Sequence, residues 1–255
     1  MKKIIKITLV VVCILAVGFV TVFLLSKNKP GDPSFSPRAT TENGCTRTTR
    51  LDNEARFDRA LSLVYENASK LKADLGDASP LIFSPQIVNC IKVAESDVSD
   101  ALGAEGYFEF SYEDIKPNEF PIFVDNKYKN ADELVNALLL THEITHVQQY
   151  INELQGKGNL SCIDKEVEAF YSQLLFTTEL NDEENKSIDF RIDNDRDLHP
   201  QLQIISAMRT ARDMGGKAFG GCLDSEDPEC VSKYMKNMIK DLVSRDEFYI
   251  RQCGK

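Results

Sequence analysis

The sequence predicts a mostly helical α+β domain behind a single N-terminal transmembrane helix. Three observations predict it. The chain opens on one long uncharged apolar run, most of the remainder repeats apolar residues at helical spacing, and only two short stretches have the character of strands.

The apolar run is Ile7 to Leu25, ITLVVVCILAVGFVTVFLL, preceded by Lys2, Lys3 and Lys6. As a helix it spans about 28 Å, close to the hydrocarbon thickness of a bilayer. A cleaved secretory signal is the competing reading, but the following SKNKPGDPSFSPR offers no small-x-small cleavage site. Nor does Val12 before Cys13 suit lipid attachment. Residues 1–25 are therefore expected to form a cytoplasmic stub and an anchor that meets the lipid bilayer through residues 7–25. The lysine bias puts the bulk of the chain on the extracytoplasmic side; signal cleavage would instead make it secreted. Residues 26–44, rich in Pro, Ser, Thr and Gly, read as a flexible stalk. Residues 45–255 remain as one domain, long enough to bury a substantial core.

Within that domain, LDNEARFDRALSLVYENASKLKADLG keeps helical apolar spacing as far as Gly76. YFEFSY (Tyr107 to Tyr112) alternates, and FPIFV (Phe120 to Val124) is short, apolar and bounded by turn residues; both are strand candidates. Asn130 or Asp132 can cap a long helix that runs to about Gln155, where GKGN breaks it. Ser161 with Asp164 resembles a capping box opening another helix, to Leu180. NDEENKSIDFRIDNDRDLHP reads as an acidic loop. Its Asp193, Asp195 and Asp197 lack the glycine and distal glutamate of an EF-hand, which favours a solvated loop over a calcium site. Two further helices are expected beyond it.

Composition narrows the function. From Cys45 onward there are 24 basic and 38 acidic residues, a net charge of −14. Such a domain repels phosphate backbones, so nucleic acid is not an expected partner. Six cysteines lie outside the apolar run, an even number that suits disulfides in an oxidising compartment; buried thiols in a reducing one are the alternative. Cys222 and Cys230, closing the short loop CLDSEDPEC, are the one pair that invites bonding, and no C-x-x-C occurs to hold zinc.

The chemistry concentrates in LLLTHEITHVQQY, Leu138 to Tyr150. On a helix, His146 lies about 40° from His142 and Glu143 about 100°. The two imidazoles can share one ion while the carboxylate sits beside it, free to accept a proton from the attacking water. Leu140, Ile144, Val147 and Ile151 occupy the opposite direction, and Val135, Leu138 and Leu139 flank the histidines, so the helix is wrapped by protein. Buried imidazoles beside a carboxylate are costly unless satisfied, and a metal satisfies them. A pair of hydrogen-bonded core histidines is the alternative.

A catalytic zinc needs a third protein ligand. Gln149 and Asn152 stand where H-x-x-G-x-x-H would continue, which excludes that pattern, and Glu153 is about two turns away. CIDKEVEAFYSQ on the next helix offers Asp164, Glu166 and Glu168. Here H142-E143-I-T-H146 with E166-V-E-A169 resembles gluzincin-type zinc metallopeptidases, and THEITHVQQ is similar to the HELTHVVQQ-like core of small bacterial metallopeptidase domains. The likeness covers about 45 residues, a small share of the chain. It implies a zincin-like domain with Zn2+ held by His142, His146 and Glu166, Glu143 as general base, and a protein or peptide substrate. Helical geometry independently separates Glu166 from Glu168, since only Glu166 shares a face with Ala169 and Gln173. Phe170 departs from the pattern, in which an aspartate follows the small residue and supports a zinc histidine. His199, Tyr150 and Tyr171 are candidates to stabilise an oxyanion, with a surface or capping role as the alternative for His199. The expectation is a membrane-anchored zinc peptidase; the alternative is a non-hydrolytic metal-binding ectodomain.

Overall fold

The structure is a computed structural model and describes residues 44–75, 83–97, 104–108, 116, 118–194, 204–210 and 228–254. The chain divides into two units, Met1–Ser36 and Pro37–Lys255, and all described residues belong to the second. The proposed span at residues 7–25, His199 and Cys222 lie outside the described residues. Among those described, no helix is long and apolar enough to cross a membrane.

The first helix, α1 (Ala55–Leu75), forms because Phe57, Ala60, Leu61, Val64, Ala68 and Leu71 fall on one face, and all six are buried. A short 3-10 turn, Pro85–Cys90, leads into β1 (Ile91–Ser96). β2 (Gly106–Phe108) and β3 (Phe120–Asp125) complete a three-stranded sheet in the order β1-β3-β2. β1 runs parallel to β3, with Ile91 opposite Phe120 and Val93 opposite Ile122. β2 is antiparallel to β3, with Gly106 opposite Val124 and Phe108 opposite Ile122. Ile91, Ile122, Val124 and Phe120 are fully buried, each contributing about 1.5–3 kcal/mol by leaving water.

The long helix α2 (Glu133–Leu154) starts at Asp132, whose side chain accepts from the Val135 N–H at 2.9 Å. It ends at Leu154, and Gly156 just beyond adopts φ +69° as the Lys157 N–H reaches back to the Asn152 carbonyl at 2.8 Å. Between these points it is buried on almost every side. Thr141 and Thr145, polar residues on this helix, are buried too; their hydroxyls donate to the helix's own Ala137 and Thr141 carbonyls. α3 (Cys162–Thr178) opens on Ser161, whose Oγ accepts from the Asp164 N–H and donates to the Asp164 carboxylate. It packs against α2, with Ala169 fully buried and the Gln173 amide donating to the Leu138 carbonyl at 2.8 Å.

The stretch expected to be an acidic loop is instead largely helical, as α4 (Asp182–Asn194). Asn181 caps it by accepting from the Glu183 and Glu184 N–H groups, and three acidic residues fill a first turn whose dipole favours them. Asp195 and Asp197 lie outside the described residues. Residues 204–210 are helical, and α5 (Pro228–Arg245) and α6 (Glu247–Gln252) finish the domain. α5 buries Met235, Ile239 and Val243 and packs on α3.

Two disulfides join described residues, Cys45–Cys90 and Cys162–Cys253. The first ties the start of the domain to the 3-10 turn before β1. The second ties the first residue of α3 to the end of α6. Cys230 is also disulfide-bonded, while Cys222, the partner expected for it, is not among the described residues.

Candidate metal centre

The helical spacing of α2 brings the two imidazoles together, their ring centroids 4.9 Å apart. α3 then lays Glu166 against both. Its Oε2 is 3.2 Å from His142 Nε2, and its Oε1 is 3.7 Å from His146 Nε2. One ligand atom from each of the three residues falls within 4.8 Å of the others, so the group can hold a metal ion. The other carboxylates of the same stretch are engaged elsewhere. Asp164 pairs with Lys240 at 2.7 Å and Glu168 with Lys236 at 3.9 Å, both lysines on α5. Glu153 lies toward the same cavity but pairs with Lys165 at 2.6 Å.

The electrostatics follow from the burial. For Glu166, burial alone would raise the pKa, but the His146 charge and hydrogen bonds from both histidines outweigh it and hold the carboxyl far below the usual range. For His146, burial alone would lower the pKa; the Glu166 charge and hydrogen bond raise it to about 9. The cluster thus pairs the Glu166 carboxylate with a His146 ring that it draws toward the charged form, a charge pattern that a bound dication replaces.

Glu143 is buried beside this group, and burial pushes its carboxyl up against the opposing pull of His142 and His146. It also accepts a hydrogen bond from the Phe108 N–H of β2. Space for the carboxylate comes from Gly106. A Cβ there would stand 3.2 Å from the Phe123 carbonyl oxygen, close enough that the backbone must give by a few tenths of an ångström, and would touch Glu143 Oε1 at 3.4 Å. All four residues, His142, Glu143, His146 and Glu166, open onto a cavity of about 970 Å³.

The two imidazoles are supported differently. His146 Nδ1 meets Gln149 Oε1 at 2.9 Å, and the Gln149 amide donates to the Lys165 carbonyl at 3.0 Å. His142 Nδ1 is buried and has no hydrogen-bond partner among the described residues. Its ring instead packs edge-on against Phe170, centroids 4.7 Å apart. Phe170 therefore takes the place of a polar support with a purely steric one.

Of the expected oxyanion donors, Tyr150 borders the cavity. Tyr171 does not border it: its hydroxyl bonds Ser232 and the Lys236 ammonium sits 5.0 Å from its ring. Sequence reasoning missed Tyr249 on α6. This tyrosine is buried, borders the cavity, and packs on Phe170 at 5.6 Å. Burial, followed by the Glu166, Glu105 and Glu143 charges, drives its hydroxyl well above the ordinary pKa, so it stays a proton donor. Its separation of more than a hundred positions from His142 left no local signal. The FPIFV segment is the middle strand of the described sheet, and β2 is at its edge.

Comparison with protein-family models, with curated proteins and with solved structures finds no match for the chain.

Proposed function

We propose that the chain is a zinc-dependent peptidase that hydrolyses peptide bonds, held at a membrane through residues 7–25 with its catalytic domain outside the cytoplasm. The observation that carries this reading is the convergence of His142, His146 and Glu166 in one open cavity with the Glu143 carboxylate at their side. Two imidazole nitrogens and one carboxylate oxygen are a donor set suited to catalytic zinc, and both rings turn Nε2 toward Glu166.

A zinc ion, when bound, supplies a Lewis acid that polarises the scissile carbonyl and acidifies water. The chain's own residues do the rest. Glu143, buried against β2, takes the proton of the attacking water and returns it to the leaving amine. The Tyr249 hydroxyl, which stays protonated, donates toward the developing oxyanion. The aromatic rings of Tyr107, Phe108 and Phe248 border the cavity and give an extended peptide apolar surface to rest on.

A second reading, metal binding without hydrolysis, draws on the missing polar support of His142. Two arms separate the readings. Elemental analysis of the purified full-length chain should find one zinc per molecule; iron in its place would turn the reading toward redox chemistry, since the same ligand set serves iron. Chelator-sensitive cleavage of a mixed peptide library, lost in Glu143→Gln, supports the peptidase. Zinc without cleavage supports the second reading.

A further inference from the structure

Resting on the metal-centre reading, we infer that Gln149 is a positioning residue that fixes the tautomer of His146 and locks it to the helix segment carrying Glu166. The argument runs through hydrogen-bond chemistry. A backbone carbonyl only accepts, so the contact with the Lys165 oxygen at 3.0 Å must use the Gln149 amino group. That leaves Oε1, an acceptor only, facing His146 Nδ1 at 2.9 Å. Nδ1 is then the nitrogen that must carry a proton. In the neutral ring Nε2 keeps its lone pair, and Nε2 is the atom that faces Glu166.

The placement makes the amide more than a local bond. Gln149 is one turn beyond His146 on α2, and Lys165 immediately precedes Glu166 on α3. One side chain, 4% exposed, thus joins an imidazole of one helix to the backbone beside the carboxylate of the other. His142 has no such device and relies on Phe170. The centre is therefore asymmetric, with His146 held by hydrogen bonding and His142 by packing.

The test uses the full-length chain labelled with 15N-histidine, whose three histidines keep the spectrum simple. Zinc affinity is measured by chelator competition, and the His146 Nδ1–H resonance is followed in the zinc-loaded protein. Wild type should show a protected Nδ1–H. Gln149→Leu, which cannot accept, should lose that protection and bind zinc about 10–100-fold more weakly. Gln149→Glu keeps an acceptor toward His146 and should restore the protected proton and most of the affinity. This variant also decides alone if the leucine variant does not fold. Wild-type zinc affinity in Gln149→Leu, or an unprotected Nδ1–H in Gln149→Glu, overturns the role of Gln149 while leaving the metal centre standing. A wild-type chain that takes up no zinc overturns both.

Discussion

Glu143 sits where a base is useful and where its charge is costly. Its carboxyl is raised first by burial, so its ionised form destabilises the folded chain at neutral pH. Glu143→Gln should therefore keep the metal, melt no lower than wild type, and lose at least about 100-fold in kcat/KM. A lower melting temperature would mean the carboxylate is structural instead. His146 makes the opposite pH argument. Its raised pKa contributes stability that is complete below the ordinary value of 6.5 and is lost as pH climbs from there through about 9. The metal-free protein should thus melt lower at pH 9 than at pH 6.5, a difference that His146→Ala removes. Because a metal needs the neutral ring, apparent metal affinity should rise over the same interval by up to about tenfold per pH unit. Affinity that stays flat across it would place His146 outside the ligand set.

At the scale of elements, the site is made by two helices and closed by a third that the chain delivers last. α6 carries Phe248, Tyr249, Arg251 and Gln252 to the cavity, and Cys162–Cys253 pins its end to the first residue of α3. The sequence separation of 91 between these cysteines makes the bond a strong restraint on the unfolded chain. Cys253→Ser should cost about 2–4 kcal/mol in a denaturant titration and lower turnover more than metal content. Unchanged turnover would show that α6 needs no latch. On the opposite wall, Gly106→Ala should push β2 away from β3 or turn the Glu143 carboxylate. It should cut activity while zinc stays bound, as elemental analysis beside a cleavage assay would show.

The elements also show what a sequence can and cannot reveal. The capping residues Asp132 and Ser161 and the apolar spacing of α1 and α2 act over one or two turns, so they were legible, as was the stacking of His142 with His146. β1 was not: IKVAES has only two strong apolar positions, and its parallel pairing with β3 depends on a segment about 30 residues away. α4 was masked by its acidic composition, although the Asn181 cap was present in the sequence. Tyr249 and the second use of Gln149, toward the Lys165 carbonyl, arise only from how α2, α3 and α6 pack.

At the largest scale, one core among the described residues spans helices and sheet, and α2 runs through its centre with α1, α3 and β2 packed around it. Such burial makes the polar cluster expensive unless its charges are matched, and Glu166 between two imidazoles is the match the chain supplies by itself. The account predicts that a dication takes over that role. Its most direct test is elemental analysis of the full-length chain after saturation with zinc and removal of the excess, wild type beside His146→Ala. One equivalent in the wild type and a small fraction of one in the variant is the predicted result. A metal-free wild type, or a variant that retains a full equivalent, contradicts it.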